Sequence, residues 1–133
     1  MRRDRVLLVL RGSGIYRGGE WGLPSGEVMP SETYVGVARR KLRSEVGLEA
    51  DVPLRFVHLL ERVTPTGDHW VGAFFAVVLD AFDGFEPVNA EPHKHDAVSW
   101  FGVGELPGNL GDYLRHAIDA VRRAETFSEF VEP

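Results

Sequence analysis

The stretch Leu23–Leu48, LPSGEVMPSETYVGVARRKLRSEVGL, runs from a loop bearing proline and glycine into a charged helix closed by a glycine. Pro24 biases Leu23 away from helical backbone, so the approach from Trp21 is extended. From Ser31 the pattern changes. Val35, Ala38, Leu42 and Val46 recur at three- and four-residue spacing, Ser31 or Glu32 can cap, and Gly47 supplies the stop. The spacing predicts one helix over Thr33–Val46. On it Lys41, Ser44 and Glu45 share a face with Arg40 alongside, and the loop carrying Gly26 and Glu32 arrives at the N-terminal end.

Working outward, Arg5–Leu10 is a compact apolar run that suits a buried strand, and Arg11–Glu20, with Gly12, Gly14, Gly18 and Gly19, is a loop. Downstream, Pro53–Val63 and His69–Leu79 flank Thr64–Asp68, whose Pro65, Gly67 and Asp68 carry turn chemistry, so the pair reads as a β-hairpin. His58 and Glu61, three apart on its first arm, fall on opposite faces. Phe82–His95 is irregular, Ala97–Phe101 reads as a strand, and Leu114, Ala117, Ile118 and Val121 predict a second amphipathic helix over Leu110–Ala124. The tail Glu125–Pro133 reads as loosely held. The order strand, loop, helix, hairpin, strand, helix is that of a mixed α/β protein.

At 133 residues the chain is expected to form one domain, residues 1–133, large enough for a core of its own. With 44% hydrophobic and 26% charged residues it has the balance of a soluble globular protein, and no apolar run approaches the roughly 20 residues that cross a bilayer. MRRDRVLLVLRG reads as a first strand, because Arg11 and Gly12 end its apolar run early and no small-residue cleavage site follows. The absence of cysteine removes disulfides and thiolate chemistry and is compatible with the cytoplasm, the expected location. A net charge of −5 argues against binding a nucleic-acid polymer, so a phosphate ligand needs a local basic group or a metal.

The central stretch resembles the signature of the Nudix hydrolase family: G, five residues, E, seven residues, then R-E-apolar-x-E-E-x-G-apolar. Gly26, Glu32, Arg40, Leu42, Glu45, Gly47 and Leu48 fall at matching positions with the spacing kept. The approach Trp21–Pro24, the pairs Glu91-Pro92 and Trp100-Phe101, and Leu106-Pro107 before the last helix extend the likeness over nearly the whole chain. The resemblance implies an α/β/α sandwich with a mixed sheet between the two helices. It implies cleavage of a diphosphate bond in a nucleoside triphosphate or other small nucleotide derivative, with Mg2+ or Mn2+ as cofactor. Glu45, Glu32 and Glu91 would be the metal ligands, with Glu91 also a candidate base, and Arg40 would orient the glutamates. Lys41, Gly26 and Asn109 are the substrate-side candidates, Asn109 equally able to cap the last helix. No membrane partner is implied, and a homodimer is compatible with the family.

Lys41 and Ser44 stand where the family carries glutamates. A hard cation wants oxygen ligands, so replacing one carboxylate by an ammonium and another by a hydroxyl implies weak hydrolysis. Two other readings stay open: a protein that binds a nucleotide or phosphorylated metabolite without cleaving it, and an enzyme of altered chemistry. In the latter, His93, His95 and Asp96 would supply acid and base; with Glu91 they are metal-ligand residue types at alternating positions that share a face if the segment is extended, and are otherwise solvated residues of a loop.

Overall fold

The computed structural model describes residues 5–49, 51–77 and 85–133. Its centre is β1 (Arg5–Arg11), whose alternating side chains serve two cores. Val6 and Leu8 point into one, with Val103, Leu110 and two residues of helix α2 (Asp112–Arg122), Leu114 and Ile118. Val9 points into the other, with Val46 of helix α1 (Tyr34–Val46), Leu48 and Val52, against which Leu7 and Leu42 pack. The helices therefore lie against opposite faces of β1, as a sandwich requires.

Beside β1 run β2 (Trp21–Gly22) and β5 (His95–Gly102), both antiparallel to it. A second sheet holds β3 (Leu54–Val63) between antiparallel β4 (His69–Val77) and parallel β6 (Phe127–Val131). The expected mixed α/β architecture is present, with its strands divided between two three-stranded sheets among the described residues. The hairpin is where it was predicted; Val78, Leu79 and residues 82–84 of the irregular segment lie outside the described residues.

Helix α1 is capped by Thr33, whose Oγ1 accepts from the Gly36 N–H at 3.0 Å, rather than by Ser31 or Glu32. Ser31 cannot lead into the helix because its own backbone is left-handed, at φ 72°. Gly47, at φ 76°, ends the helix as expected. Helix α2 starts two residues later than predicted; its cap is Gly111, so Asn109 does not cap.

The tail is the largest correction to the sequence reading. Residues Phe127–Val131 form β6 and add to β3, with Leu59 opposite Phe127 and Val63 opposite Val131. His58, wholly buried, secures the junction: Nδ1 meets the Glu125 carbonyl at 2.6 Å and Nε2 the Ser128 hydroxyl at 2.7 Å. A carbonyl only accepts, so Nδ1 carries a proton and donates to it. Buried Arg62 adds an ion pair to Glu132. His58→Ala is expected to cost about 3 kcal/mol, as a cavity plus two lost hydrogen bonds. Thermal unfolding with amide exchange checks this, and amides of β6 should lose protection before those of β1.

Candidate functional site

Glu45 lies in the last turn of α1 and is 5% exposed. The end of that helix is stitched to the segment before β5, since Val88 N–H donates to the Val46 carbonyl at 3.1 Å and Ala90 N–H to the Glu45 carbonyl at 3.2 Å. This brings Glu91 next to the Glu45 carboxyl. Lys41, one turn back on the same helical face, places Nζ 3.9 Å from Glu45 Oε2, and Nε2 of His95 lies 3.8 Å from Oε1. Glu91 Oε1 is buried with no hydrogen-bond partner among the described residues, while its Oε2 is 3.5 Å from Lys94 Nζ.

Burial pushes the Glu45 carboxyl up to about 7. The Lys41 charge opposes this, Glu91 adds to it, and the Ser25 backbone N–H and Arg11 oppose it again. It is thus the amide of Ser25 that reaches Glu45. His95 is pushed below the usual imidazole range by burial, against the pull of Glu91, and its Nδ1 has no hydrogen-bond partner among the described residues. A buried neutral imidazole beside a carboxyl that titrates near 7 is an arrangement suited to holding or moving a proton.

The remaining candidates fall in separate places. Glu32 is engaged with its own loop: Oε1 accepts from Met29 N–H at 3.1 Å and Oε2 pairs with Arg40 at 3.1 Å. Arg40 therefore orients Glu32. Gly26 faces Lys41, because a Cβ there would stand 2.5 Å from Lys41 Cε and 3.0 Å from Cγ; the lysine stem lies across the glycine. Asn109 donates from Nδ2 to the Gly19 carbonyl at 2.9 Å and accepts from Trp21 N–H at its own carbonyl at 3.1 Å, so it holds the loop after β1 in place. Ser44 has a buried Oγ with no hydrogen-bond partner among the described residues.

The histidine segment departs from the extended form that would align its alternate side chains. Lys94 N–H and His95 N–H both donate to the Glu91 carbonyl, at 2.9 and 3.0 Å, which makes a turn. His93 and Asp96 face solvent and His95 is buried, so the set does not share a face.

Sequence reasoning missed Arg11. The β1–β5 register shifts between Leu10 and Arg11, which sets Arg11 opposite His95. Gly22 leaves room for the guanidinium, since a Cβ there would lie 3.3 Å from Arg11 Nε, and the Arg11 charge acts on both Glu45 and His95. An arginine ending a strand before a glycine loop was the only signal, and it does not say where the side chain goes.

Among the described residues no three His, Asp or Glu side chains come together as a metal-holding group. The carboxylates whose charges act on one another here are Glu45 and Glu91, and the buried Glu91 Oε1 has no hydrogen-bond partner among the described residues. Two carboxylates suit Mg2+, which keeps several waters and takes further oxygens from phosphates. The residues present therefore fit one hard divalent ion.

The family model described as NUDIX domain matches residues 1–123. No curated protein matches the chain. Among solved structures, a MutT NUDIX hydrolase from Burkholderia pseudomallei is 28% identical, with 90% of this chain and 89% of that one covered and a TM-score of 0.72. The MutT protein from Methanosarcina mazei Go1 is 19% identical, with 92% and 86% covered and a TM-score of 0.74. An ADP-ribose pyrophosphatase from Streptococcus suis 89-1591 is 18% identical, with 98% and 92% covered and a TM-score of 0.60.

Proposed function

Because this chain belongs to the Nudix family, we propose that it hydrolyses a diphosphate bond in a nucleoside triphosphate or related nucleotide derivative, with one Mg2+ or Mn2+ ion held by Glu45 and Glu91. The observation that carries this reading is the pair of converging carboxylates, one of them with a buried and unpartnered oxygen. The 28% identical MutT NUDIX hydrolase supports the reaction class.

When bound, the ion supplies charge neutralisation on phosphoryl oxygens and a more acidic water. Glu45 and Glu91 would hold it, and Arg11 and Lys41 would present positive charge to the phosphates from β1 and α1. The Glu32–Arg40 pair keeps the approach loop in register with the helix. Burial of Glu45 and His95 excludes bulk water and strengthens each of these fields. With Lys41 and Ser44 at glutamate positions, a loss of about 3 kcal/mol of transition-state stabilisation lowers the rate about a hundredfold relative to a full carboxylate set.

A panel of nucleoside triphosphates and nucleotide diphosphate derivatives, assayed for phosphate and pyrophosphate release with Mg2+ and with Mn2+, tests the proposal. We expect metal-dependent turnover. Glu91→Gln should lower kcat by about 10- to 100-fold and move the Mg2+ dependence to higher concentration, with the melting temperature little changed. A native chain that turns over nothing on the panel, but is stabilised by a nucleotide without metal, would instead establish a binding protein. The arginine and lysine charges of the site give that second reading its basis.

A further inference from the structure

Lys41 is not an ordinary surface lysine. Its stem crosses Gly26 closely enough that no side chain could occupy that glycine position without displacing it, and its side chain is only 19% exposed. An exposed ion pair one turn apart on a helix holds two mobile side chains and contributes about 0.3–0.5 kcal/mol. Here the partner carboxylate is 6% exposed, and the lysine stem is packed over Gly26. The 3.9 Å between Nζ and Glu45 Oε2 is beyond hydrogen-bond length. No protein acceptor among the described residues is hydrogen-bonded to that ammonium. Among the described residues its three protons are thus left for an oxygen brought from outside.

The charges agree with this placement. Glu45 and Glu91 together carry two negative charges when ionised, and Arg11 also acts on the site. Lys41 and one divalent ion already exceed the carboxylate charge, and a second divalent ion would meet the ammonium in the space beside Glu45 Oε2.

We propose that Lys41 is a built-in second cation: it limits the site to one divalent ion and donates its ammonium protons to a phosphate oxygen of the substrate. This rests on the hydrolase reading for its substrate class, but not for its test. Lys41→Met keeps a stem over Gly26 and removes the charge; Lys41→Glu restores an oxygen ligand.

Mn2+ binding, followed by the spin-resonance signal of the free ion, is measured with the full native chain and both variants, and inorganic pyrophosphate binding by calorimetry. The native chain should bind one Mn2+, Lys41→Glu a second, and Lys41→Met should hold pyrophosphate at least tenfold more weakly than the native chain. Equal Mn2+ stoichiometry in native and Lys41→Glu overturns the limit on ion number. Unchanged pyrophosphate affinity in Lys41→Met overturns the phosphate contact. Neither readout needs turnover, so a native chain silent on every nucleotide would remove the hydrolase reading while leaving this one standing on its own result.

Discussion

Glu45→Gln should lower turnover about a thousandfold and, at pH 8, make the protein more stable. The first effect follows from removing a ligand carboxylate at the centre of the site: about 4 kcal/mol of lost transition-state stabilisation corresponds to a factor of about 1000. The second follows from burial. Burial raises the Glu45 carboxyl from 4.5 to about 7 in the folded chain, so the folded state holds its proton more tightly than the unfolded state does. Its contribution to stability is complete below about pH 4.5 and is lost as pH rises through about 7. Above that range the buried charge costs on the order of 3 kcal/mol. Glutamine carries no charge at any pH, so without divalent ions the variant should melt roughly 5–10 °C above the native chain at pH 8, with the gap closing by pH 5. His95, whose imidazole is pushed down by burial, contributes in the opposite sense in both proteins. Mg2+ should raise the native melting temperature at pH 8 and leave that of Glu45→Gln unmoved. If Glu45→Gln melts lower than the native chain at pH 8, Lys41 and the Ser25 amide outweigh desolvation, and the carboxylate is a structural anchor.

The elements that were legible in the sequence are those written in local periodicity. Helix α1 declares itself through Val35, Ala38, Leu42 and Val46 and through Gly47, and the β3–β4 hairpin through Pro65, Gly67 and Asp68. The facing of Lys41 and Glu45 follows from the same helical spacing, and the pairing of Glu45 with Glu91 from the family resemblance. Illegible were features set by contacts distant along the chain. Nothing local says that the short run Phe127–Val131 will add in parallel to β3, since its partner and the His58 that receives it lie far upstream. The turn at Glu91–His95 is fixed by backbone bonds to the Glu91 carbonyl; the sequence reads as irregular there and spacing alone does not say whether its alternate side chains share a face. Arg11 enters the site through a single register shift against β5. Glu32 was grouped with Glu45 by resemblance, and in the structure its nearest charged partner is Arg40. The site is thus a helix face that could be read, completed by a strand end and a turn that could not.

Gly18→Ala is expected to be the most damaging change in the glycine-rich loop, although Gly18 touches neither Glu45 nor Glu91. A Cβ at Gly18 would stand 2.5 Å from the Gly12 carbonyl oxygen and 2.8 Å from Ser13 Cα. Both neighbours are backbone and cannot rotate aside, so the loop must open. It is closed by Gly18 N–H to the Ile15 carbonyl at 3.0 Å and Gly19 N–H to the Arg11 carbonyl at 2.8 Å. Gly12 N–H in turn donates to the Lys94 carbonyl at 2.8 Å, within the turn that Glu91 begins. Displacing Gly12 therefore strains both the end of β1 that carries Arg11 and the turn that presents Glu91. We expect a loss of about 2–3 kcal/mol in stability and at least a tenfold fall in kcat for the molecules that remain folded. Gly14→Ala, in the same loop with nothing within 4 Å of its added Cβ, should change neither. Melting curves and turnover corrected for the folded fraction distinguish the cases. Stability lost with normal turnover would mean that the loop supports the fold but does not position Glu91. Both lost together, with Gly14→Ala unaffected, would mean that the backbone contact between Gly12 and Gly18 sets the distance between the strand end and the carboxylate pair.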